Sequence, residues 1–131
     1  MTEHENAIRT ILLDVTAAWD AGDADAFVRA YAPDAVVVLP GDVLHRDREE
    51  IRTAMAKGFA GPLRGTRGVD EPELVRVGED GRTATVVSRT GFLLPHETEL
   101  PAARSRRAVW TLRRDEGRWL VTSYANTPLA D

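Results

Sequence analysis

The chain has 131 residues, of which 43% are hydrophobic and 29% charged, a size and composition typical of one globular domain and not of a disordered or fibrous protein. Its formal net charge of -4 gives no basic field to attract a phosphate backbone, so nucleic acid is not expected as a partner. The absence of cysteine excludes disulfides and thiolate metal sites.

The N-terminal segment and the hydropathy favour a cytoplasmic location. The first ten residues, MTEHENAIRT, are acidic and polar, whereas a secretory signal begins with basic residues and continues into an apolar run. No apolar run approaches the roughly 18 residues that a membrane span needs. We therefore expect a cytoplasmic protein that does not interact with a membrane.

The first part of the chain predicts two helices. Thr2 begins a capping box, and apolar residues at helical spacing extend the first helix over about Glu3 to Ala21. Asp23 can cap the free N–H groups of a second, short helix. This helix is expected to carry Tyr31 on its apolar face and to stop at Pro33.

A strand and a third helix are predicted next. The compact apolar run from Val36 to Leu39 lies between two prolines and predicts a strand that is buried on at least one face. Asp47, with Glu50 three residues later, predicts the start of a third helix, which ends near Gly58.

The second half of the chain predicts four antiparallel strands joined by short turns. The predicted strands are Pro72 to Val77, Arg82 to Leu94, Arg106 to Arg114 and Arg118 to Thr127. The segments GEDGR and RDEGR are typical of hairpin turns. Helices followed by antiparallel strands indicate an α+β fold, in a single domain that covers residues 1–131.

Alternation along the strands assigns their side chains to two faces. On the last strand, one face is predicted to hold Trp119, Val121, Ser123 and Ala125, and the other Leu120, Thr122, Tyr124 and Asn126. The two faces differ less than in a sheet with one fully solvated side. We therefore expect helices on one face and a second copy of the chain on the other, as a homodimer.

Three stretches resemble the NTF2-like superfamily: WDAGDADAFVRAYAPDAVVVLP, GDVLHRDREEIRTAM and GRWLVTSYANTP. The resemblance covers essentially the whole chain. It implies a cone in which about three N-terminal helices pack on a strongly curved, mostly antiparallel sheet. The segment SRTGFLLPHETELPAARSRRAVWTLRR is more particularly similar to the SnoaL-like subgroup found in bacterial gene clusters for enediyne and other polyketide natural products.

The resemblance leaves the activity open. The superfamily includes ketosteroid isomerases, polyketide cyclases and limonene epoxide hydrolases, as well as members that only bind or dimerise, so the fold does not decide the function. It does imply a pocket inside the cone, between the helices and the concave sheet face. Similar sequences often place a histidine before the Asn-Thr of the last strand, and this chain departs from that pattern with Ala125.

Catalysis on a polyketide or steroid needs a base beside a carbonyl and a donor that stabilises the enolate. The candidates are His45, Asp34 and Arg89. His45 lies either at the cavity rim or in solvent, and Asp34 is either a base or, more simply, a turn cap. Arg89 either binds a carboxylate or enolate in the cavity or lies at a dimer interface. The three histidines lack metal-ligand spacing, so neither a metal nor another cofactor is expected.

The predicted ligand pocket is mainly aromatic and β-branched. Its residues are Trp19, Tyr31, Val36, Val38, Phe59, Phe92, Trp110, Tyr124 and Asn126. Flat rings suit a flat or polyene ligand, and the two tyrosines and the asparagine would supply the few polar contacts that such a pocket needs.

Three functions follow as hypotheses. The first is a small-molecule-binding protein of bacterial polyketide, enediyne-type, biosynthesis that binds a hydrophobic intermediate or helps to cyclise it. The second is an acid-base isomerase or cyclase of the ketosteroid-isomerase type. The third is a non-catalytic dimeric partner of a larger synthase. Sequence patterns alone do not decide between them, because catalysis depends on geometry.

Overall fold

The computed structural model describes residues 2–129, which form three α-helices, a single turn of 3₁₀ helix and six strands. The helices are α1 (Glu3–Ala21), α2 (Ala24–Val28) and α3 (Arg48–Ala60), with the 3₁₀ turn at Ala102–Arg104. The strands are β1 (Tyr31–Leu39), β2 (Val43–His45), β3 (Arg67–Val77), β4 (Thr83–Leu93), β5 (Arg106–Asp115) and β6 (Arg118–Pro128).

The predicted helix caps are present at all three α-helices. The side chains of Thr2, Asp23 and Asp47 accept the backbone N–H of Glu5, Ala26 and Glu50, at 3.1, 3.0 and 2.8 Å. Each bond satisfies one of the N–H groups that the first helical turn leaves free. The second predicted helix is therefore confirmed, although it ends at Val28 and Tyr31 instead begins β1.

The six strands form one sheet in the order β2-β1-β6-β5-β4-β3. Only β1 and β6 pair in parallel, and every other neighbouring pair is antiparallel. The helices pack on one face of this open, curved sheet and enclose the apolar core between helices and sheet. The predicted α+β fold is confirmed. Within residues 2–129 no helix is both long and apolar enough to cross a membrane.

Strand β3 begins at Arg67, five residues earlier than predicted. Pro72 was expected to start the strand, yet it lies inside it, opposite Ser88, next to an irregularity in the pairing with β4. A proline is tolerated there because β3 is an edge strand, so its missing N–H costs no second ladder bond. The earlier start brings residues 67–71 into the sheet.

A β-bulge in β6 changes which side chains face the helices. Leu112 pairs with Val121 and Thr111 with Ser123, which leaves Thr122 as an extra residue on β6. An extra residue shifts the alternation by one position. Val121 and Tyr124 therefore both face the helices, although unbroken alternation placed them on opposite faces of the strand.

The valine run of β1 alternates in the opposite phase to the one predicted. Val37 is inside, with 5% of its surface exposed, whereas Val36 and Val38 point outward with 36% and 48% exposed. A run of four apolar residues has no polar position that could set its phase, so the sequence pattern did not determine which valines face inward.

Candidate active site

A cavity of about 420 Å³ lies between the helices and the inner face of the sheet. Most of its wall is apolar, with side chains from α1, α2, α3, β1, β4 and β5. These include Val15, Trp19, Phe27, Val37, Ile51, Met55, Phe92 and Trp110. The polar side chains on the wall include Tyr31, His45, Asp70, Thr90, Arg104, Arg106, Tyr124 and Asn126.

Aromatic rings form one side of the cavity. Trp19 stacks on Phe92 with ring centroids 6.1 Å apart and planes 21° apart, and it contacts Phe27 at 6.2 Å. Trp110 packs against Tyr124 with centroids 4.4 Å apart. Such flat surfaces suit a flat or conjugated ligand, because ring faces stack on one another.

Asp70 places a carboxylate on this mostly apolar wall. Its Oδ1 accepts a hydrogen bond from the Ser88 hydroxyl at 2.7 Å, and its Oδ2 accepts one from the Trp110 indole N–H at 3.0 Å. Each carboxylate oxygen has a further lone pair. The two bonds therefore fix the carboxylate while leaving it able to accept a proton.

The cavity raises the pKa of Asp70 from 3.8 to about 6. The main cause is the removal of the carboxylate from bulk water, which disfavours its charged form. The hydrogen bonds from Ser88 and Trp110 act in the opposite direction, and the negative charge of Glu71 adds a small increase. The resulting pKa lies close to neutral pH, where a carboxyl group can both take up and return a proton.

The end of α1 positions the start of β3, where Asp70 lies. Trp19 donates its indole N–H to the Thr66 hydroxyl at 2.9 Å, and the Asp20 carboxylate accepts the backbone N–H of Gly68 at 2.9 Å. A Cβ atom at Gly68 would lie 3.1 Å from Cγ of Trp19, so the close approach of helix and strand favours glycine there. Asp20, in the last turn of α1, thereby links this helix to β3.

Tyr31 brings a second polar group to the wall near Asp70. The residue is 2% exposed, and its pKa is raised well above 10 by burial, with further increases from Tyr124 and Asp70. Within residues 2–129 its hydroxyl has no hydrogen-bond partner, and only Arg9 Nε is both unpaired and fully enclosed. The Tyr31 hydroxyl is therefore a neutral donor that opens on the cavity.

Tyr124, Asn126 and Arg106 form a chain of hydrogen bonds along the same wall. The Asn126 side-chain amide donates to the Tyr124 hydroxyl at 2.9 Å, and its oxygen accepts from the Arg106 guanidinium at 3.2 Å. Burial raises the pKa of Tyr124, while the hydrogen bonds with Asn126 and Thr90 oppose that shift. The phenol thus stays protonated at neutral pH.

Most residues predicted for the pocket lie together on the cavity wall. The structure places there Trp19, Tyr31, Phe92, Trp110, Tyr124 and Asn126. Phe59 packs behind them in the core, edge-on to Trp19 at 5.6 Å, and does not line the cavity. Val36 and Val38 lie on the outer face of β1, and Val37 takes their place inside.

The three predicted catalytic candidates are not brought together. His45 lines the cavity at the β2 edge, where it pairs with Val37. The Asp34 side chain is 79% exposed and lies 4.0 Å from the Arg113 guanidinium, outside the cavity. Arg89 is exposed on the outer face of β4, where it donates to the Ser105 hydroxyl at 3.4 Å.

Asp70 was absent from the candidates because the strand that carries it was predicted to begin at Pro72. Asp70 then lay in the connection just ahead of the predicted strand, where a carboxylate is common. Steps of two back from Val77 and Val75 do not reach Asp70, since the irregularity between Pro72 and Leu74 shifts the alternation. The available sequence signal for Asp70 was its position two residues before Pro72, because a proline beside a strand is typical of an edge strand.

Metal-ligating side chains are not clustered anywhere in the described residues. Residues 2–129 contain no cluster of three or more histidine, aspartate or glutamate side chains that could hold a metal ion. The polar groups on the cavity wall instead include one carboxylate, two phenols and two guanidinium groups. This set is suited to proton transfer and to hydrogen bonding of oxygen atoms.

Three helices on a curved six-stranded sheet, with an apolar cavity between them, form the cystatin-like fold that solved NTF2-like proteins share. More particularly, the chain belongs to the SnoaL-like domain family, whose sequence profile matches residues 1–125. No curated protein matches the chain in sequence.

Solved structures share the fold over nearly the whole chain. A domain of unknown function with a cystatin-like fold from Nostoc punctiforme has a TM-score of 0.88 at 23% identity, covering 100% of this chain and 80% of that one. An NTF2-like protein from Novosphingobium aromaticivorans has a TM-score of 0.79 at 21% identity, covering 98% and 83%. A ketosteroid isomerase-like protein from Erwinia carotovora atroseptica has a TM-score of 0.76 at 18% identity, covering 100% of both chains.

Proposed function

We propose that this protein binds a hydrophobic, polyketide-like small molecule in its cavity and isomerises or cyclises it by proton transfer. Asp70 is the base in this proposal. The observation that carries it is a fixed carboxylate on an apolar cavity wall, with a pKa raised to about 6. Such a group takes a proton from carbon more readily than an ordinary carboxylate does, and it is still ionised at neutral pH.

The Tyr31 hydroxyl is the proposed donor to the substrate oxygen. Because this hydroxyl has no partner within residues 2–129 and opens on the cavity near Asp70, a ligand oxygen can take that hydrogen bond. A donor aimed at an oxygen that gains negative charge stabilises the transition state more than the ground state. The Tyr124 hydroxyl, held by Asn126, is available as a second contact.

The proposed reaction begins at a carbon next to a carbonyl group. An Asp70 oxygen takes the proton from that carbon, the C–H electrons form the C=C bond of an enolate, and the carbonyl electrons move to oxygen. Where the substrate carries a C=C bond conjugated with this enolate, Asp70 returns the proton to the far carbon of that bond, the C=C bond moves next to the carbonyl and the carbonyl re-forms, which completes an isomerisation. Alternatively, the enolate carbon attacks a second carbonyl carbon, and Asp70 protonates the new alkoxide, which completes a cyclisation.

The proposed setting is polyketide biosynthesis, of the enediyne type, in the bacterial cytoplasm. Support comes from the aromatic wall, where the stacked Trp19 and Phe92 rings match a flat or polyene ligand. The apolar remainder of the wall favours a hydrophobic intermediate over a sugar or a nucleotide.

A homodimer through the outer sheet face is part of the proposal. One row of apolar residues crosses all six strands in register on that face: Leu44, Val38, Ala125, Val109, Val87 and Leu74. Exposed apolar strips of this kind mark interaction sites. A straight row can pack on a copy of itself about a two-fold axis, which favours a second copy of this chain as the partner.

The experiment that tests the proton transfer uses 2-tetralone, a flat apolar ketone with exchangeable hydrogens beside its carbonyl. Exchange of these hydrogens in D₂O is followed by NMR, with wild-type protein and with Asp70→Asn. This readout does not require the natural substrate, and it reports the first bond-breaking step directly.

A further inference from the structure

Arg106 is a cation on the cavity wall that lacks a carboxylate partner. It lies opposite Thr90 of β4, and Thr90 lies opposite Asp70 of β3. The Arg106 guanidinium donates to Asn126 Oδ1 at 3.2 Å. Within residues 2–129 no carboxylate oxygen lies within the 4.0 Å of an ion pair with it. One positive charge therefore faces the cavity without compensation.

The neighbouring cation Arg104 is occupied by the protein itself. It forms an ion pair with Glu97, donates to the Phe92 carbonyl at 3.0 Å and lies over the Phe92 ring at 5.3 Å. These contacts hold the segment after β4 against the cavity. Arg106 has only the single bond to Asn126, so most of its five N–H donors remain available.

Arg106 belongs to a polar strip with Asn126 and Tyr124, and the negative charge of Asp70 also acts on this phenol. Arg106 acts to lower the pKa of Tyr124, against the stronger effect of burial, so its charge reaches the phenol. Asp70 lies two strands away on the other side of Thr90, which separates the two backbones by about 10 Å at the usual strand spacing. A ligand that spans the cavity can contact both groups at once.

We propose that Arg106, with Asn126 beside it, is a subsite for a carboxylate group of the ligand. A single guanidinium can pair with one carboxylate through two parallel hydrogen bonds, and the one uncompensated positive charge of Arg106 matches the one negative charge of a carboxylate. The ligand class is then a flat, apolar keto acid whose carboxylate lies a ring or more away from the reacting carbon. The keto part of this description rests on the proposed function, and the carboxylate subsite does not.

The test compares two probes of the same shape by calorimetry at pH 7. The probes are 2-naphthoate, which carries a carboxylate, and 2-naphthamide, which is neutral. Wild-type protein should bind 2-naphthoate about tenfold more tightly, since hydrogen bonds between charged groups exceed those to a neutral group by about that factor. In Arg106→Gln the preference should disappear, while in Arg106→Lys part of it should remain.

Arg107→Gln is the matched control, because it removes the same charge from the next residue of β5. Arg107 faces outward and pairs with Glu73, so its variant should keep the preference for 2-naphthoate. Equal affinities in the wild type, or a preference that survives in Arg106→Gln, would overturn the subsite. The proton-transfer proposal is tested separately, by exchange of 2-tetralone hydrogens in the wild type. If the wild type catalyses exchange but shows no preference for 2-naphthoate, only the proton-transfer proposal is supported. If it prefers 2-naphthoate but does not catalyse exchange, only the carboxylate subsite is supported.

Discussion

Trp110 donates its indole N–H to the carboxylate of Asp70 at 3.0 Å, although the whole of β4 separates their strands. An indole N–H can only donate, so it favours the ionised form of the carboxyl group. Loss of bulk water favours the protonated form, and this effect is the larger one. The pKa of about 6 is the balance of the two, and it makes Asp70 the central residue of the site.

The raised pKa of Asp70 predicts a stability that falls as pH rises. The folded protein keeps this proton longer than the unfolded chain, so the group favours folding below about pH 4 and loses that contribution as pH rises through about 6. Asp70→Asn removes this dependence. Urea unfolding from pH 4 to pH 7 should show the variant gaining stability relative to wild type, by up to about 3 kcal/mol.

Asp34→Asn is the control for this titration. Asp34 is exposed and lies outside the cavity, so the same substitution there should not reproduce the gain in stability of Asp70→Asn. A constant difference between Asp70→Asn and wild type from pH 4 to pH 7 would contradict the raised pKa.

Removing the Ser88 hydroxyl should raise the pKa of Asp70 further. Ser88 donates to Oδ1 at 2.7 Å and is the largest of the influences that lower this pKa. We expect a carboxyl ¹³C NMR titration of Ser88→Ala to show the Asp70 transition above its wild-type position, toward neutral pH. Thr85→Ala, on the outer face of the same strand, should leave the transition in place; a shift in Thr85→Ala alone would contradict the assignment.

The two tyrosines of the wall should respond differently to loss of their hydroxyl groups. Tyr31→Phe removes a group without a partner, so the free energy of unfolding should change by less than about 0.5 kcal/mol. The exchange rate of 2-tetralone should nonetheless fall about 100-fold or more. Tyr124→Phe leaves the Asn126 amide without its acceptor and should destabilise the protein by about 1 kcal/mol.

These outcomes separate a functional hydroxyl from a structural one. Urea unfolding and NMR exchange are measured on the same three proteins. An unchanged exchange rate in Tyr31→Phe would remove this residue from the mechanism.

The proposed dimer predicts that one charge on the outer sheet face dissociates it. Val109 lies in the middle of the apolar row, between Val87 and Ala125, and Val109→Glu would place two carboxylates near the two-fold axis. Light scattering should give a dimer for the wild type and a monomer for this variant. Leu13→Glu, at a 68% exposed position on α1, is the matched control and should remain dimeric. A monomeric wild type would contradict this part of the proposal.

The sequence predicted the fold well because local signals agreed with one another. Thr2, Asp23 and Asp47 each cap a helix as expected, and the hairpin turns place β3 to β6 in antiparallel pairs. These features depend on a few neighbouring residues, so they can be recognised without the rest of the chain.

The site was harder to predict, since it depends on departures from regular pairing. The bulge at Thr122 turns both Val121 and Tyr124 inward, which strict alternation forbids. The irregularity after Pro72 shifts the alternation of β3, so a regular pattern did not extend the predicted strand back to Asp70. Residue types alone predicted the aromatic wall. The role of the Asp70 carboxylate depends on hydrogen bonds from Ser88 and Trp110, which are distant in sequence, so sequence patterns did not predict it.

The most direct test of the account is the exchange of 2-tetralone hydrogens in D₂O, compared between wild type and Asp70→Asn. Asparagine keeps the shape of the side chain and can still accept from Trp110, but it cannot act as a base at neutral pH. The role of Asp70 as the base predicts exchange well above the buffer rate with wild-type protein and a loss of about 100-fold or more in Asp70→Asn. Exchange at the buffer rate in the wild type, or at the wild-type rate in Asp70→Asn, would contradict it.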